Sequence, residues 1–223
     1  MWFQTHLGLV ELMQVWYLEI KSKNFCIVLS SPSGAGKTSI SKELLQKDKK
    51  ISLSISCTTR PKRKGERDKK DYIFCSDNVF NKNIRNNQFL EHASVFGFRY
   101  GTLKVSVSKI FKKDKDVLFD IDWQGYQQLK QSGMDVIGVF ILPPSKNELK
   151  RRLQNRGRDS LTEMKSRMNL AQDEISHFLE YDYVVVNKNL NTCVEQIQNI
   201  IFAERLKRFR LKNLTQFVDR FRN

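Results

Sequence analysis

One stretch restricts the fold of this chain more than any other: residues 25–45, FCIVLSSPSGAGKTSISKELL. Cys26, Ile27, Val28 and Leu29 form an apolar run bounded by serines, the pattern of a buried strand in a parallel sheet. Ser31, Pro32, Ser33, Gly34, Ala35, Gly36, Lys37 and Thr38 follow, and then Ile40, Leu44 and Leu45 recur at helical spacing. A strand, a glycine-containing loop, a lysine, a hydroxyl residue and a helix are the context that a phosphate-binding loop requires. Gly34 and Gly36 permit backbone angles closed to other residues, so that successive N–H groups can turn toward phosphate oxygens at the positive end of the helix. Lys37 can reach the outer phosphates, and the Thr38 hydroxyl can ligate Mg2+. The usual pattern, G-x-x-x-x-G-K-[ST], places glycine where this chain has Ser31. An ordinary strand–turn–helix would also use glycines here, but the flanking elements favour the phosphate loop.

The rest of the chain alternates apolar strands with helical segments. Ile51–Ser56 alternates polar and apolar residues, and Val117–Ile121, Val136–Leu142 and Tyr183–Val186 are further strand-like runs. The last strand ends at Asn187, and a closing helix is expected over 194–209, followed by a fraying basic tail. The spacing also predicts helices near 78–86, from Trp123, from Ser145 and from Leu161, and a hairpin spanning Phe89–Thr102. The expected class is therefore α/β, with a mainly parallel sheet flanked by helices. Asp120 and Asp122 close the second strand of this kind, at the carboxyl edge where open α/β sheets bind ligands. Asp120 there suits a partner of Mg2+ reached through water.

Charge adds a constraint. Lysine and arginine number 39 against 24 acidic residues, a formal +15, which attracts polyanions. Two insertions interrupt the core pattern, 56–103 and 145–175, and both are basic. Arg60 and Arg63 bracket a turn in the first, and arginine's planar fork matches phosphate. Arg152, Arg156 and Arg167 lie on a helix–turn–helix stretch in the second. Taken in isolation, the first group reads about as well as a basic surface excursion, and by charge statistics alone a solvated basic face is the better reading of the second. No recognition-helix, zinc or RNA-sheet motif accompanies the charge. The four cysteines are scattered without a C-x-x-C pair, which suits a reducing intracellular compartment, the cytoplasm. Residues 1–22 are fairly apolar but interrupted by polar residues, and match neither a signal peptide nor a membrane span; a dispensable extension or a misassigned start is expected there.

The ordered blocks SSPSGAGKTS, SISCTTRPKRKGE, KDYIF, FLEHASVFGFRYGT, VLFDIDWQG, FILPPSKNELKRRLQNRGRD and YDYVVVN resemble the guanylate kinases, nucleoside monophosphate kinases that carry the γ-phosphoryl of ATP to GMP. The resemblance runs over roughly 25–209 and implies a P-loop NTPase-type fold with three parts. These are a core (23–55, 104–144 and 176–223), a GMP-binding insert (56–103) and an arginine-bearing lid (145–175). It implies guanine held by Ser56, Glu91 and Asp122, with Thr102 beside the nucleotide, and the GMP phosphate bound by Arg60, Arg63, Tyr72 and Tyr100. ATP is expected on residues 31–38 and Asn187, with Lys37, Arg152, Arg156 and Arg167 as the catalytic cations. Mg2+ on Thr38 and Asp120 is the expected cofactor. ATP, GMP and dGMP are the expected partners of a monomer or homodimer that engages neither nucleic acid nor membrane. Two other functions fit parts of the pattern: a non-catalytic guanylate-kinase-like module binding a phosphorylated ligand, and a basic nucleic-acid-binding protein.

Overall fold

The structure is a computed structural model, described here for residues 20–95, 97–155 and 161–222. Arg156 and the Arg167 side chain lie outside the described residues, as do 1–19 of the expected extension.

The unit Phe25–Ile197 is built on a five-stranded parallel sheet. Its central strand, β1 (Cys26–Ser30), is buried at every position, as the apolar run requires. The chain leaves β1 through the glycine loop into helix α1 (Lys37–Lys47) and returns as β2 (Ile51–Leu53). Strand β2 is shorter than the alternating run to Ser56, although the Ser54 amide still reaches the Leu118 carbonyl (2.8 Å). The chain then leaves this sheet for a second one. That sheet has the order β4–β3–β6–β5, from β3 (Cys57–Thr58), β4 (Ile73–Phe74), β5 (Phe89–Val95) and β6 (Phe98–Leu103). Helix α2 (Asp77–Arg85) intervenes, its first turn capped by Ser76. The expected hairpin is the antiparallel pair β5–β6, with a register slip between Phe89 and Glu91 that leaves Glu91 opposite Thr102.

Helix α3 (Lys104–Phe111) leads back to β7 (Asp116–Asp120), then α4 (Trp123–Gln131) and β8 (Val136–Leu142). Helices α5 (Lys146–Asn155) and α6 (Leu161–Ser176) precede β9 (Tyr183–Val186) and α7 (Leu190–Arg205). The parallel order β2–β7–β1–β8–β9 makes β1 a switch point, with later strands added on both of its sides. Ligands bind open sheets at the carboxyl ends of strands around such a point. The glycine loop, Asp120–Asp122 and Asn187 all follow directly from the carboxyl ends of sheet strands.

In the second unit, formed by residues 20–24 and 198–222 among those described, the tail does not fray as expected. The closing helix α7 begins at Leu190 and stops at Arg205, before a single 3-10 turn at Arg208–Arg210 and helix α8 (Leu214–Asp219). Lys23 and Lys212 amides bond the Arg210 and Lys21 carbonyls (2.6 and 2.8 Å). Arg210, only 2% exposed, pairs with the fully buried Glu204, which Lys207 also meets at 2.7 Å. A buried charge must keep its partner, so this pair holds the tail in place.

Among the described residues, no helix is long and apolar enough to cross a membrane.

Candidate active site

The loop from Ser31 to Thr38 begins where β1 ends, and Gly34 and Gly36 sit at φ +93° and +101°. Both are left-handed conformations that a side chain would strain. Ser31 is not among the positive-φ residues, so its position places no demand for glycine, and the departure from the usual motif has a backbone reason.

The back of the loop is braced by distant residues. The buried Asn187 side chain donates to the Ala35 carbonyl at 2.7 Å, and a Cβ on Gly36 would stand 2.5 Å from that same nitrogen. Arg152 donates to the Ala35 carbonyl (3.3 Å) and the Asn187 carbonyl (3.0 Å), while its Nε bonds Glu148 (2.8 Å). Glu148 is in turn held well below the usual carboxylate range, at about 2, by its hydrogen bonds to Arg151 and Arg152.

At the front of the loop, Lys37 Nζ lies 2.8 Å from Asp120 Oδ1 and donates to the Ile121 carbonyl at 2.9 Å. Burial alone would lower this ammonium, but Asp120, by charge and hydrogen bond, holds it above its ordinary range, with Glu174 and Asp122 adding to the effect. Lys37 therefore stays charged. The Ser41 hydroxyl reaches the second Asp120 oxygen at 3.4 Å. Thr38 is exposed at the start of α1.

The second sheet carries a different pocket. Glu91, 3% exposed, faces Thr102, and Ser56 Oγ lies 3.5 Å from Thr102 Oγ1. Burial raises the Glu91 carboxyl to about 7; nearby Asp122 pushes it further, while Thr102 hydrogen bonds oppose the shift. Glu91 Oε1 is buried and finds no hydrogen-bond partner among the described residues. An orphaned buried acceptor is costly unless a ligand completes it. Space beside it is tight: a Cβ on Gly125 would stand 2.7 Å from Glu91 Oε2. Asp122 caps α4, its Oδ1 accepting from the Gly125 amide (3.0 Å) and its Oδ2 from the Gln124 side chain (3.1 Å).

Arg60, 7% exposed, donates to Glu66 (2.7 Å) and to the Pro61 carbonyl (2.8 Å), and lies 5.3 Å from the centre of the Tyr72 ring. Tyr72 and Tyr100 meet edge-on at 6.0 Å. Burial raises the Tyr72 phenol; Asp120 adds to the rise and Lys37 opposes it, so the tyrosine senses the charges at the phosphate loop. Arg63, by contrast, is exposed, and its amide donates to Glu66 (2.8 Å).

Thus Lys37 and Asp120 form one group of the expected residues, Arg60, Tyr72 and Tyr100 a second, and Ser56, Glu91 and Thr102 a third. Arg152 and Asn187 stand behind the loop. Sequence reasoning missed Glu66, Glu148 and Glu174. Glu66 had a local signal, as the acid that ends a strongly basic turn, and so did Glu148, which stands three and four residues before Arg151 and Arg152 on one helix.

The family model for guanylate kinase matches residues 23–204. A guanylate kinase of Novosphingobium aromaticivorans is 50% identical over 197 residues, 88% of this chain and 89% of that protein. One from Rickettsia prowazekii is 48% identical over 192 residues, 86% of this chain and 98% of that protein. A crystal structure of guanylate kinase from Anaplasma phagocytophilum superposes with a TM-score of 0.76 at 35% identity, covering 90% of this chain and 96% of that one.

Proposed function

This chain belongs to the guanylate kinase family, and from that premise we propose how its residues divide the work of moving the γ-phosphoryl of ATP to GMP, with ADP and GDP as products. The observation that carries the division is the unpartnered, buried Glu91 Oε1, which lies on the second sheet rather than on the Lys37 loop. Guanine presents N1–H and N2–H2 side by side, and one carboxylate accepts both. Adenine has no such pair on that edge and would leave Glu91 unsatisfied, a mismatch that costs ~10⁴-fold where a site is built around the bond. Ser56, Thr102 and Asp122 complete the guanine pocket, and Arg60, Arg63, Tyr72 and Tyr100 take the GMP phosphate. Residues 31–38 hold the ATP phosphates. Asn187, on the adenine side, acts by holding the loop through Ala35.

In the reaction a GMP phosphate oxygen forms a bond to the γ-phosphorus as the bond to the bridging β-oxygen breaks, and ADP leaves. Nothing is attached to the protein, so positioning and charge stabilisation do the work. Lys37 offsets charge on the transferring group, and Arg152, Arg156 and Arg167 close on it. Arg152 reaches the phosphates by exchanging its 3.3 Å bond to the Ala35 carbonyl for a phosphate oxygen. Closure of the insert and the lid excludes water, which would otherwise accept the phosphoryl.

The donors present fit Mg2+, a hard cation that keeps much of its water. The exposed Thr38 hydroxyl would hold it, with Asp120 through water. When bound it neutralises charge on the β- and γ-phosphates. We further propose activity on dGMP, a cytoplasmic location, and function as a monomer or homodimer.

A coupled assay supplying ATP and Mg2+ with GMP, AMP, CMP or UMP tests the reading. ADP should form with GMP far ahead of the other three. Comparable turnover of AMP would refute the role given to Glu91.

A further inference from the structure

A second carboxylate meets the phosphate loop from the lid. Glu174, on α6, accepts a hydrogen bond from the Ser33 backbone N–H at 3.0 Å. Four neighbours define its surroundings: the Ser33 amide on the loop, Lys37 on α1, Asp122 at the cap of α4 and Tyr181 before β9. Burial raises the Glu174 carboxyl above its usual range and Asp122 adds to this, while Lys37 and the Ser33 amide oppose it. Lys37 is paired with Asp120 at 2.8 Å, and the charges of Glu174 and Asp122 add to the negative field on that ammonium.

That arrangement conflicts with a bound triphosphate. The loop's amides and lysine suit phosphate oxygens, yet one of those amides is already taken by an anion. A carboxylate and a polyphosphate close together repel each other, and in a partly desolvated cleft that repulsion is not fully screened. We propose that Glu174 is an internal anion of the phosphate loop: it occupies the Ser33 amide while nucleotide is absent, and the ATP triphosphate displaces it. Its departure releases α6, the helix that also bears Arg167, so loop occupancy is coupled to the position of the arginine-bearing lid. Glu174 is then a positioning residue, acting on phosphates through the loop and the lid. The inference rests on the reading of residues 31–38 as the ATP phosphate site.

Titration calorimetry of the parent, Glu174→Gln and Glu174→Ala with inorganic tripolyphosphate and with ATP tests it. Glutamine keeps a carbonyl for the Ser33 amide and loses only the charge, so the Gln variant decides even where the Ala variant folds poorly. The expected result is a Kd for both ligands about five-fold lower in Glu174→Gln. Hydrogen exchange supplies an independent readout. Without nucleotide the α6 amides of Glu174→Ala should exchange faster than those of the parent, and ATP should change α6 exchange in the parent. An unchanged or higher Kd in Glu174→Gln overturns the proposal, as does α6 exchange in the parent that ATP leaves unaltered. A parent that fails to bind ATP would instead overturn the reading of the loop itself.

Discussion

The Asn187 side-chain amide donates to the Ala35 carbonyl at 2.7 Å, joining the end of the last sheet strand to the middle of the phosphate loop. The same nitrogen occupies the space that a Cβ on Gly36 would need. The loop is therefore held from behind, and its shape depends on residues that need not touch a phosphate. Asn187→Ala leaves the Ala35 carbonyl with Arg152 alone at 3.3 Å, and it removes a buried hydrogen bond worth about 1 kcal/mol. The expected outcome is a higher KM for ATP with the KM for GMP little changed, measured by steady-state kinetics. Equal rises in both constants would show that the bond does not act through the loop.

In the proposed reaction Lys37 offsets charge on the transferring phosphoryl. Its ion pair with Asp120 at 2.8 Å and its bond to the Ile121 carbonyl fix the ammonium before substrates arrive. Lys37→Ala should cut kcat by ~10²–10³-fold or more, the usual cost of losing one preorganised electrostatic contact. GMP affinity, measured by calorimetry, should stay near that of the parent. Turnover equal to the parent's would remove Lys37 from the mechanism.

Glu66 aims Arg60. Its carboxyl is held below the usual range, chiefly by the hydrogen bond from Arg60, against the opposing effect of burial. Glu66→Ala leaves Arg60 with the Pro61 carbonyl, Tyr100 and the Tyr72 face, so the guanidinium is less well directed at a GMP phosphate. The KM for GMP should rise several-fold, by the order of 1 kcal/mol that such a partly buried charged bond is worth. Guanosine, which lacks the phosphate, should bind parent and variant alike. A matching loss of guanosine affinity would mean that Glu66 supports the base pocket instead.

What could be read from the sequence was whatever the chain specifies locally. The loop of residues 31–38 is contiguous, and each of its residues has a backbone or side-chain duty visible from its neighbours. The parallel sheet announced itself through apolar runs such as Cys26–Leu29 and Val117–Phe119. Glu174 was not legible, because its significance arises only when α6 meets the loop. The tail was misread for a related reason. Lys207, Arg208 and Arg210 look like a solvated charge run, but Arg210 is buried against Glu204 by folding that spacing does not encode. Helix α3 carries β-branched Val105 and Val107 among lysines and serines, and this weak pattern offered no helix to the sequence reading.

The buried, unpartnered oxygen of Glu91 is a destabilisation, which guanine relieves in the proposed reading. Its carboxyl titrates at about 7 in the fold because burial disfavours the charged form, against an ordinary value of 4.5. Between those values the folded state binds more protons than the unfolded one, so Glu91 makes stability fall as pH rises through this window. The loss is complete above pH 7 and amounts to at most on the order of 3 kcal/mol. Glu91→Gln keeps the shape and cannot ionise, so any penalty for its own buried amide is the same at every pH. Relative to the parent, the variant should therefore gain stability between pH 5 and pH 8, as measured by urea denaturation without nucleotide. Comparing the two proteins at each pH cancels the other titrating groups, including Glu174 and Glu66. The same substitution should weaken GMP about ten- to hundred-fold while sparing ATP, because guanine donors lose their acceptor. A stability difference between variant and parent that is identical at both pH values would mean that Glu91 carries no buried charge in the free protein, and the orphaned oxygen could not then be the reason guanine is chosen.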